Sequence, residues 1–384
     1  FAKDAEEFAK NLTAVDAITA TANGNITFSN LEAGYYLVTS TLGTKATVGT
    51  TPGNPDPVIQ EKNEAPTNVK TVEEDSTPGV YGEKNDADIG QTVNFKSTIT
   101  AQPGAENYVF EDTMSAGLTY KGDAKVYTDE TMTTELAIEN YTVNNNPDDG
   151  KTFTIAFEQS YLDTITSATN LYVKYSATLN ENAKVGLEGN KNKSTLSYGD
   201  STNTKSTPDS ETITYTWDMG ILKYGDGNKE KVLKDAQFVL LSQDKLKVAI
   251  VVDGKLTGWE NVPAAGTDGT ITWPANTILT TGEDGKIHID GLDADAYYLR
   301  EIKAPAGYNE LAQDQEVVIT GAVKADGSDS LTYNTLVVEI NNNSGTELPS
   351  TGGTGTTIFY VLGSILVIGA GVLLVTKKRM GSEA

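Results

Sequence analysis

Short segments in which apolar and polar residues alternate recur along most of this chain, and they constrain its fold more than any other feature. Examples are VNFKSTITA, FTIAFE, LYVKYSATL, STLSYG, QFVLL, KVAIVV and LVVEI, which are rich in Val, Ile, Thr, Tyr and Phe. Residues two apart in a strand point to the same face. Turn-forming stretches such as NNNPDDGK, GDGNK and TGEDGK lie between these segments. The pattern predicts an all-β chain made of tandem β-sandwiches.

The end of the chain departs from this pattern. IFYVLGSILVIGAGVLLV, residues 358–375, contains no charged residue. As a helix, at about 1.5 Å per residue, it just spans the hydrocarbon core of a bilayer, so we predict a C-terminal transmembrane helix. A buried core helix is the weaker alternative because no polar face repeats. Lys377, Lys378 and Arg379 follow, and basic flanks favour the cytoplasmic side. Everything before Ile358 is therefore expected outside the cell.

The composition excludes several classes of function. The 384 residues include 53 acidic and 29 basic side chains, a formal charge of -24. Such a surface repels phosphate, so we expect no nucleic-acid partner. There is no Cys and one His, which leaves almost no material for catalytic triads or zinc sites. We therefore expect no cofactor and no metal.

Three features could still suggest metal binding. His288 lies in the alternating segment GKIHID, so a solvent-facing strand residue is the expected role. The acidic stretches GDGNKE (225–230) and NDADIG (85–90) lack the full spacing of a calcium loop. We interpret both as solvated turns.

An internal similarity suggests related modules at the two ends of the chain. ITFSNLEAGYYLV (26–38) resembles KIHIDGLDADAYYLREIKAPAGY (286–308). Each has a strand, a turn and a YYL strand. Proline-containing stretches at 49–57 and 205–210 suggest boundaries.

These signals predict four parts. They are an N-terminal domain, a middle domain, a third domain and a C-terminal tail, at 1–64, 65–208, 209–345 and 346–384. The chain starts at Phe1, without Met or signal peptide. An exported chain needs a signal peptide, so we expect the first domain to be truncated, with FAKDAEEFAKNL as a helix.

The tail carries LPSTG, formed by Leu348, Pro349, Ser350, Thr351 and Gly352. Followed by an apolar run and basic residues, it resembles the LPxTG sorting signal of Gram-positive surface proteins. The resemblance implies that a membrane sortase cleaves after Thr351, holds its carbonyl as a thioester and passes it to an amine. It also implies export, transient membrane anchoring before cleavage, and attachment to peptidoglycan at the cell wall.

YYLREIKAPAGY (297–308) resembles the E-box of Cna protein B-type domains in pilin subunits. FEDTMSAGLTY (110–120) and EGNKNKSTLSYG (188–199) are similar to the middle domain of the same proteins. Taken with the sorting signal, the chain resembles the SpaA-like major, or backbone, pilins of sortase-assembled pili. The resemblance implies Ig-like, Cna-type sandwiches that form internal isopeptide bonds.

In the third domain, the resemblance implies a bond between a Lys that ends the first strand and an Asn that ends the last. MGILKYG supplies Lys223, VVEINNN supplies Asn341, and Glu301 of the E-box is the acid. In the middle domain, the resemblance implies a second set of a lysine, an acid and an asparagine, each supplied by a different motif. PTNVKTV, EDTMS and GNKNKS supply Lys70, Asp112 and Asn192, with Asn190 as a close rival to Asn192.

Backbone pilins also carry a Lys in a YPKN-like motif at the end of their first domain. Here the matching place reads VIQEKNEAP, so Lys62, followed by Asn63, is the candidate. Gln60 and Glu61 stand where the family often has Tyr and Pro. The resemblance implies that Lys62 resolves the Thr351 acyl-enzyme of another copy of the chain.

The resemblance thus indicates a structural backbone subunit of a covalent surface pilus, whose only reaction chemistry is self-crosslinking in a single turnover. Its implied partners are sortase, other copies of itself, accessory pilins and peptidoglycan. A wall-anchored adhesin that is never polymerised is the alternative. An anchored glycosidase with paired carboxylates is a third class, but no segment indicates a cleft.

Overall fold

The computed structural model describes residues 5, 8–9, 12–20, 24–147, 149–200, 204–321, 323–324 and 331–345. Strands dominate this part of the chain, and helix is almost absent from it. The short helix α1 has the bounds Gln159–Leu162, and single 3₁₀ turns have the bounds Ile138–Asn140 and Ala275–Thr277. The prediction of an all-β chain is confirmed.

The first strands form an antiparallel hairpin, β1 (Gly34–Thr39) and β2 (Lys45–Thr50). The loop between β1 and β2 lies against the segment that contains Gly104. Gly43, at a φ of +83°, is so close to Gly104 that a Cβ at Gly43 would lie 1.7 Å from the Gly104 carbonyl oxygen. Glycine is required there by both the backbone conformation and the contact.

The next thirteen strands belong to two sheets of the described residues. The strands are β3 (Thr67–Glu73), β4 (Tyr81–Gly82), β5 (Lys84–Asp86), β6 (Thr92–Ala101), β7 (Val109–Met114), β8 (Leu118–Tyr120), β9 (Lys125–Tyr127), β10 (Tyr141–Asn144), β11 (Phe153–Phe157), β12 (Thr169–Leu179), β13 (Asn190–Gly199), β14 (Thr204–Ser206) and β15 (Ser210–Tyr215).

Six of these strands form one sheet in the order β4-β3-β6-β12-β8, with β9 also on β12. The other seven follow the order β10-β11-β7-β13-β15-β5, with β14 on β13. One cluster of buried apolar side chains, including Phe95 and Phe110, fills the space between the sheets. Strand β6 alternates buried and less buried residues along its length, as the sequence pattern predicts for a sandwich.

The remaining strands lie C-terminal to β15. They are β16 (Trp217–Gly225), β17 (Asn228–Val232), β18 (Gln237–Leu241), β19 (Lys247–Val252), β20 (Lys255–Asn261), β21 (Leu279–Thr280), β22 (Lys286–Leu292), β23 (Ala296–Lys303), β24 (Gln315–Val318), β25 (Val323–Lys324), β26 (Leu331–Thr332) and β27 (Leu336–Asn342).

In this C-terminal part, ten strands form one sheet in the order β17-β16-β22-β20-β19-β18-β23-β24. Strand β27 pairs with β16, and β21 pairs with β18. Strands β25 and β26 pair with each other. The first and last long strands, β16 and β27, are parallel neighbours. A second apolar cluster, which includes Trp217 and Phe238, is the core of this region.

The two regions meet through indole and carboxylate groups. Trp217 Nε1 donates to Asp86 Oδ2 at 3.0 Å, and Trp259 Nε1 donates to Asp88 Oδ2 at 2.8 Å. The backbone N–H of Asp293 donates to Asp88 Oδ1 at 2.8 Å. Strand β15 pairs with β13 and β5, so it belongs to the seven-stranded sheet although it begins after residue 208. The predicted domain limits stay predictions.

No helix in the described ranges has the length and apolar character needed to cross a bilayer. The predicted span 358–375 and the sorting signal 348–352 lie outside the described residues.

Candidate functional site

The middle sandwich buries a lysine, a carboxyl and an asparagine at one point between its sheets. Lys70 comes from β3 of the six-stranded sheet, whereas Asp112 and Asn192 come from β7 and β13 of the other sheet. Their side chains reach each other because both sheets turn these positions inward. Lys70 is 1% exposed, and Asp112 and Asn192 are fully buried. The predicted Lys70 set is therefore brought together.

A tyrosine that the sequence analysis missed completes this group. Tyr175 of β12 donates from its hydroxyl to Asp112 Oδ2 at 2.5 Å, and the same hydroxyl contacts Lys70 Nζ. Lys70 Nζ lies 2.5 Å from Asp112 Oδ2. The amide nitrogen of Asn192 lies 3.4 Å from the Tyr175 oxygen. Nothing in the local sequence distinguishes Tyr175 from any other inward-facing strand tyrosine.

Burial favours the neutral forms of this pair. It lowers the pKa of Lys70, although the Asp112 charge acts in the opposite direction. It also raises the pKa of Asp112, although Lys70 opposes the change. Charged groups are poorly solvated in an apolar interior, and Lys70 Nζ lies 5.4 Å from the centroid of the Phe95 ring. Burial thus shifts this pair toward a free amine beside a protonated acid.

Asn190, the rival to Asn192, is bound elsewhere. Its side chain accepts from the Lys184 N–H at 2.9 Å and donates to the Lys184 and Thr214 carbonyls at 3.2 Å. Asn192 Oδ1 is buried without a hydrogen-bond partner among the described residues. The geometry favours Asn192 as the partner of Lys70.

The C-terminal region holds a second buried cluster. Lys223 Nζ lies 2.9 Å from Glu301 Oε1 and 2.5 Å from Asn342 Oδ1. The amide nitrogen of Asn342 donates to both Glu301 oxygens, at 2.9 and 3.0 Å. Burial lowers the pKa of Lys223, against the opposing effect of Glu301. The three groups form the same kind of arrangement as the Lys70 cluster.

The structure corrects the asparagine of this set, because Asn342 and not Asn341 meets Lys223. Lys223 is paired with Ile340 across the parallel β16 and β27 strands. Side chains alternate faces along a strand, so Asn342 shares the inner face with Ile340 and Asn341 points away. Asn341 instead accepts from the Gly227 N–H at 2.8 Å and donates to Asn343. Counting alternate residues from the apolar Ile340 is the signal that could have identified Asn342.

Glu301 is placed by the E-box strand. In β23 the residues Tyr297, Leu299 and Glu301 share the buried face, because residues two apart in a strand point to the same side. Glu301 Oε2 also accepts the Leu311 N–H at 2.8 Å. That hydrogen bond fixes the carboxyl beside Lys223.

Lys62 lies on the surface, before β3. The neighbouring Glu61 organises the segment, because its Oε1 accepts the N–H groups of Lys62 and Asn63, both at 2.9 Å. Ser40 Oγ of the β1–β2 loop donates to Glu61 Oε2 at 2.5 Å, and Thr44 Oγ1 donates to Oε1. Partial burial raises the pKa of Glu61, but these hydrogen bonds outweigh it and leave the pKa lowered. Thr351 lies outside the described residues.

One group of described residues could offer three ligand atoms to a metal. Asp218, His288 and Asp290 place these atoms within 4.8 Å of one another. His288 Nε2 lies 2.9 Å from Asp290 Oδ1, and the Asp218 oxygens accept from the hydroxyls of Tyr333 and Thr335. The acidic stretches also have internal partners, since Asp226 pairs with Lys231 at 2.6 Å.

Two family descriptions match the sequence. Residues 218–332 match the SpaA prealbumin-like fold domain, and residues 340–380 match the LPXTG cell wall anchor motif. No curated protein matches the chain.

Solved structures with a similar fold come from pili. The pilus 2b backbone protein of group B streptococcus is 26% identical, with a TM-score of 0.51, and the match covers 73% of this chain and 99% of that one. A C-terminal fragment of the major pilin GBS80 of Streptococcus agalactiae is 22% identical, with a TM-score of 0.52, covering 73% and 100%. The T6 backbone pilin of Streptococcus pyogenes is 16% identical, with a TM-score of 0.54, covering 85% and 84%. This chain is therefore a cell-wall-anchored surface protein that combines a SpaA prealbumin-like domain with an LPXTG motif and shares its fold with the major pilins of Gram-positive pili.

Proposed function

We propose that the chain is the structural backbone subunit of a covalently polymerised pilus. Sortase joins Thr351 of one copy to Lys62 of the next, and the last copy is attached to peptidoglycan. Intramolecular amides, Lys70–Asn192 and Lys223–Asn342, strengthen each subunit. The observation that carries this proposal is the burial of two separate lysine, carboxyl and asparagine clusters in a chain with a wall-anchor motif.

Burial favours the neutral amine of Lys70 and of Lys223 and the protonated carboxyl of Asp112, which supports amide formation. An ammonium has no free electron pair, but a neutral lysine amine can attack the asparagine Cγ. A protonated carboxyl beside the amide stabilises charge that develops on the carbonyl oxygen, and the fixed contact supplies much of the rate. A new N–C bond forms, the asparagine C–N bond breaks, and ammonia leaves. Each cluster reacts once, within its own chain.

The position of each amide suits a subunit that carries tension. In the C-terminal region the bond would tie β16 to β27, the first and last long strands, which are adjacent and parallel. In the middle it would tie one sheet of the sandwich to the other. A force applied along the chain is then carried by covalent bonds. An amide also resists reduction, which suits an exposed protein without Cys.

The surface position of Lys62 supports its role as the nucleophile between subunits. Its backbone is fixed by Glu61, and its side chain is exposed. Glu61 is itself held by the β1–β2 loop. The lysine is thus presented from an ordered segment, so that less conformational entropy is lost when sortase captures it.

The test is polymerisation on cells of the native strain. Replacing Lys62→Ala should abolish the ladder of high-mass species in wall extracts, with monomer still attached to the wall. The matched control Lys84→Ala removes another exposed lysine and should leave the ladder intact. An unchanged ladder in Lys62→Ala refutes the role of this lysine. A wild-type chain found only as monomer would support the non-polymerised adhesin instead.

A further inference from the structure

Tyr175 is a buried residue whose hydroxyl group neither the sequence motifs nor the proposed crosslinking set explains. It is 1% exposed and lies in β12, paired with Phe95 of β6. Its ring stacks on Phe95 at a centroid distance of 5.5 Å. This packing explains the ring but not the hydroxyl, because a Phe would pack equally well. Burying a hydroxyl group costs free energy unless it forms hydrogen bonds, so its hydrogen-bond partners indicate its role.

The hydroxyl of Tyr175 contacts every reacting group of the Lys70 cluster. It touches the nucleophile, Lys70 Nζ, and donates to the acid, Asp112 Oδ2, at 2.5 Å. It also lies 3.4 Å from the leaving nitrogen, Asn192 Nδ2. A single polar atom is therefore within reach of both the nitrogen that must lose a proton and the nitrogen that must gain one.

The second cluster works without such a group. In the described part of the chain, the hydrogen bonds and ion pairs of Lys223 Nζ go to Glu301 and Asn342. The aromatic ring near this amine belongs to Phe238, with its centroid 5.3 Å from Nζ. There, Asn342 Nδ2 donates directly to both Glu301 oxygens, so the acid itself reaches the leaving nitrogen.

In the Lys70 cluster the acid does not reach that nitrogen. Asp112 Oδ1 has no hydrogen-bond partner among the described residues, and Oδ2 is taken by Lys70 and Tyr175. The phenol lies between Asp112 and the amide of Asn192. It thus occupies the position from which Glu301 serves the other cluster directly.

From this geometry we propose that Tyr175 is a catalytic residue of Lys70–Asn192 amide formation, acting as the proton relay from the attacking amine to the departing ammonia. The inference rests on the proposed crosslinking function. When Nζ bonds to Asn192 Cγ, the carbonyl π electrons move to Oδ1 and Nζ carries a surplus proton. Tyr175 gives its O–H proton to Nδ2 and takes the surplus proton from Nζ. The C–N bond then breaks, ammonia leaves, the carbonyl reforms and the phenol is restored.

Two further observations fit this role. Burial, together with the neighbouring Asp112, raises the pKa of Tyr175 well above its usual value. The phenol therefore keeps its proton until the developing ammonia can accept it. Asp112 lies 2.5 Å from the phenol oxygen and burial favours its protonated form, so it can donate to that oxygen once the phenol proton has turned to Nδ2.

The experiment follows amide formation in the full chain made by cell-free translation with detergent. Samples are denatured at intervals and digested, and the two crosslinked peptide pairs are quantified by mass spectrometry. Tyr175→Phe should slow formation of the Lys70–Asn192 amide by about 100-fold or more, the usual contribution of general acid–base catalysis. The Lys223–Asn342 amide of the same molecule should form at the wild-type rate. Tyr120→Phe is the matched control, since Tyr120 packs edge-on against Tyr175 but its hydroxyl bonds elsewhere.

The two failures are distinguishable. A wild-type chain without the Lys70–Asn192 amide refutes the proposed function of this cluster. A wild-type chain that forms it, with Tyr175→Phe forming it at the same rate, refutes only the relay. If Tyr175→Phe leaves the middle region sensitive to protease, a tyrosine with fluorines flanking the hydroxyl is incorporated at 175. The more acidic phenol should shift the pH profile of the rate to lower pH, and an unshifted profile overturns the proposal.

Discussion

The pairing of Lys223 with Asn342 rather than Asn341 gives the sharpest prediction. Each amide releases one ammonia, so the wild-type chain should be about 34 Da lighter than its calculated mass, from two losses of about 17 Da. Asn342→Ala should retain the Lys70–Asn192 amide and lose the other, which leaves a deficit of about 17 Da. Asn341→Ala should keep both amides, because its side chain bonds only to Gly227 and Asn343 among the described residues.

The stability of the C-terminal region should change with the bond. Lys223 and Asn342 are 119 residues apart, and closing a loop of that length is worth about 5 kcal/mol in the chain-entropy model. For a region of this size, one kcal/mol shifts the midpoint by roughly 3–5 °C. Asn342→Ala should therefore lower its thermal midpoint by roughly 15–25 °C. Asn341→Ala, which removes exposed hydrogen bonds, should cost about 1 kcal/mol or less.

The assay is intact-mass spectrometry of the purified variants, followed by calorimetry. Lys223 Nζ still has Glu301 Oε1 at 2.9 Å as a partner in Asn342→Ala, so the variant should fold. A full double deficit in Asn342→Ala, or the loss of one ammonia in Asn341→Ala, would refute the assignment from strand register. An unchanged midpoint after loss of the amide would show that the bond does not stabilise the folded region.

Two further predictions concern buried carboxyl groups. Asp112→Asn should prevent formation of the Lys70–Asn192 amide and lower the unfolding free energy of the middle region by about 3–5 kcal/mol, because the buried amine loses its acid. Peptide mapping measures the crosslink, and urea unfolding measures the stability. An intact crosslink in this variant would contradict the role of Asp112 as the acid. Burial raises the pKa of Asp88 to about 6, and burial with neighbouring carboxylates raises that of Asp293 to about 9. The folded chain therefore binds protons more tightly than the unfolded chain, so stability should fall as the pH rises from about 4 to about 9, with the contribution of Asp88 complete by about pH 6. Asp293→Asn should raise the unfolding free energy at neutral pH by about 1–3 kcal/mol and weaken the dependence of stability on pH. A thermal unfolding midpoint of the wild-type chain that rises with pH would contradict the predicted direction.

Strand register explains where prediction from sequence stopped. Counting alternate residues from Ile340 in VVEINNN places Asn342 on the same face as Ile340, but it does not show that this position lies beside Lys223. That choice depends on the pairing of Lys223 with Ile340 across two strands that are over a hundred residues apart. Glu301 was identified from the resemblance to the E-box, and the structure places it on the buried face of β23 with Tyr297 and Leu299.

The boundary at 208 shows the same limit. KSTPDS has the composition of a linker, yet the strand that follows it, β15, pairs with β13 and β5 of the middle region. The composition of KSTPDS indicates a turn, whereas the strands with which β15 pairs are determined by contacts with residues distant in sequence. The indole contacts from Trp217 and Trp259 to Asp86 and Asp88 likewise have no local signal.

The sequence by itself determined the β class and the wall-anchor motif, because period-two patterns and motifs are local properties of the chain. The resemblance to pilins indicated the lysines and acids of both clusters. Only the tertiary structure decided that Asn342 faces Lys223 and that Tyr175 joins Lys70, Asp112 and Asn192. Those groups come from different strands, and in the middle region from opposite sheets. Which side chains meet there is decided by register and sheet packing, which join residues that are far apart in sequence.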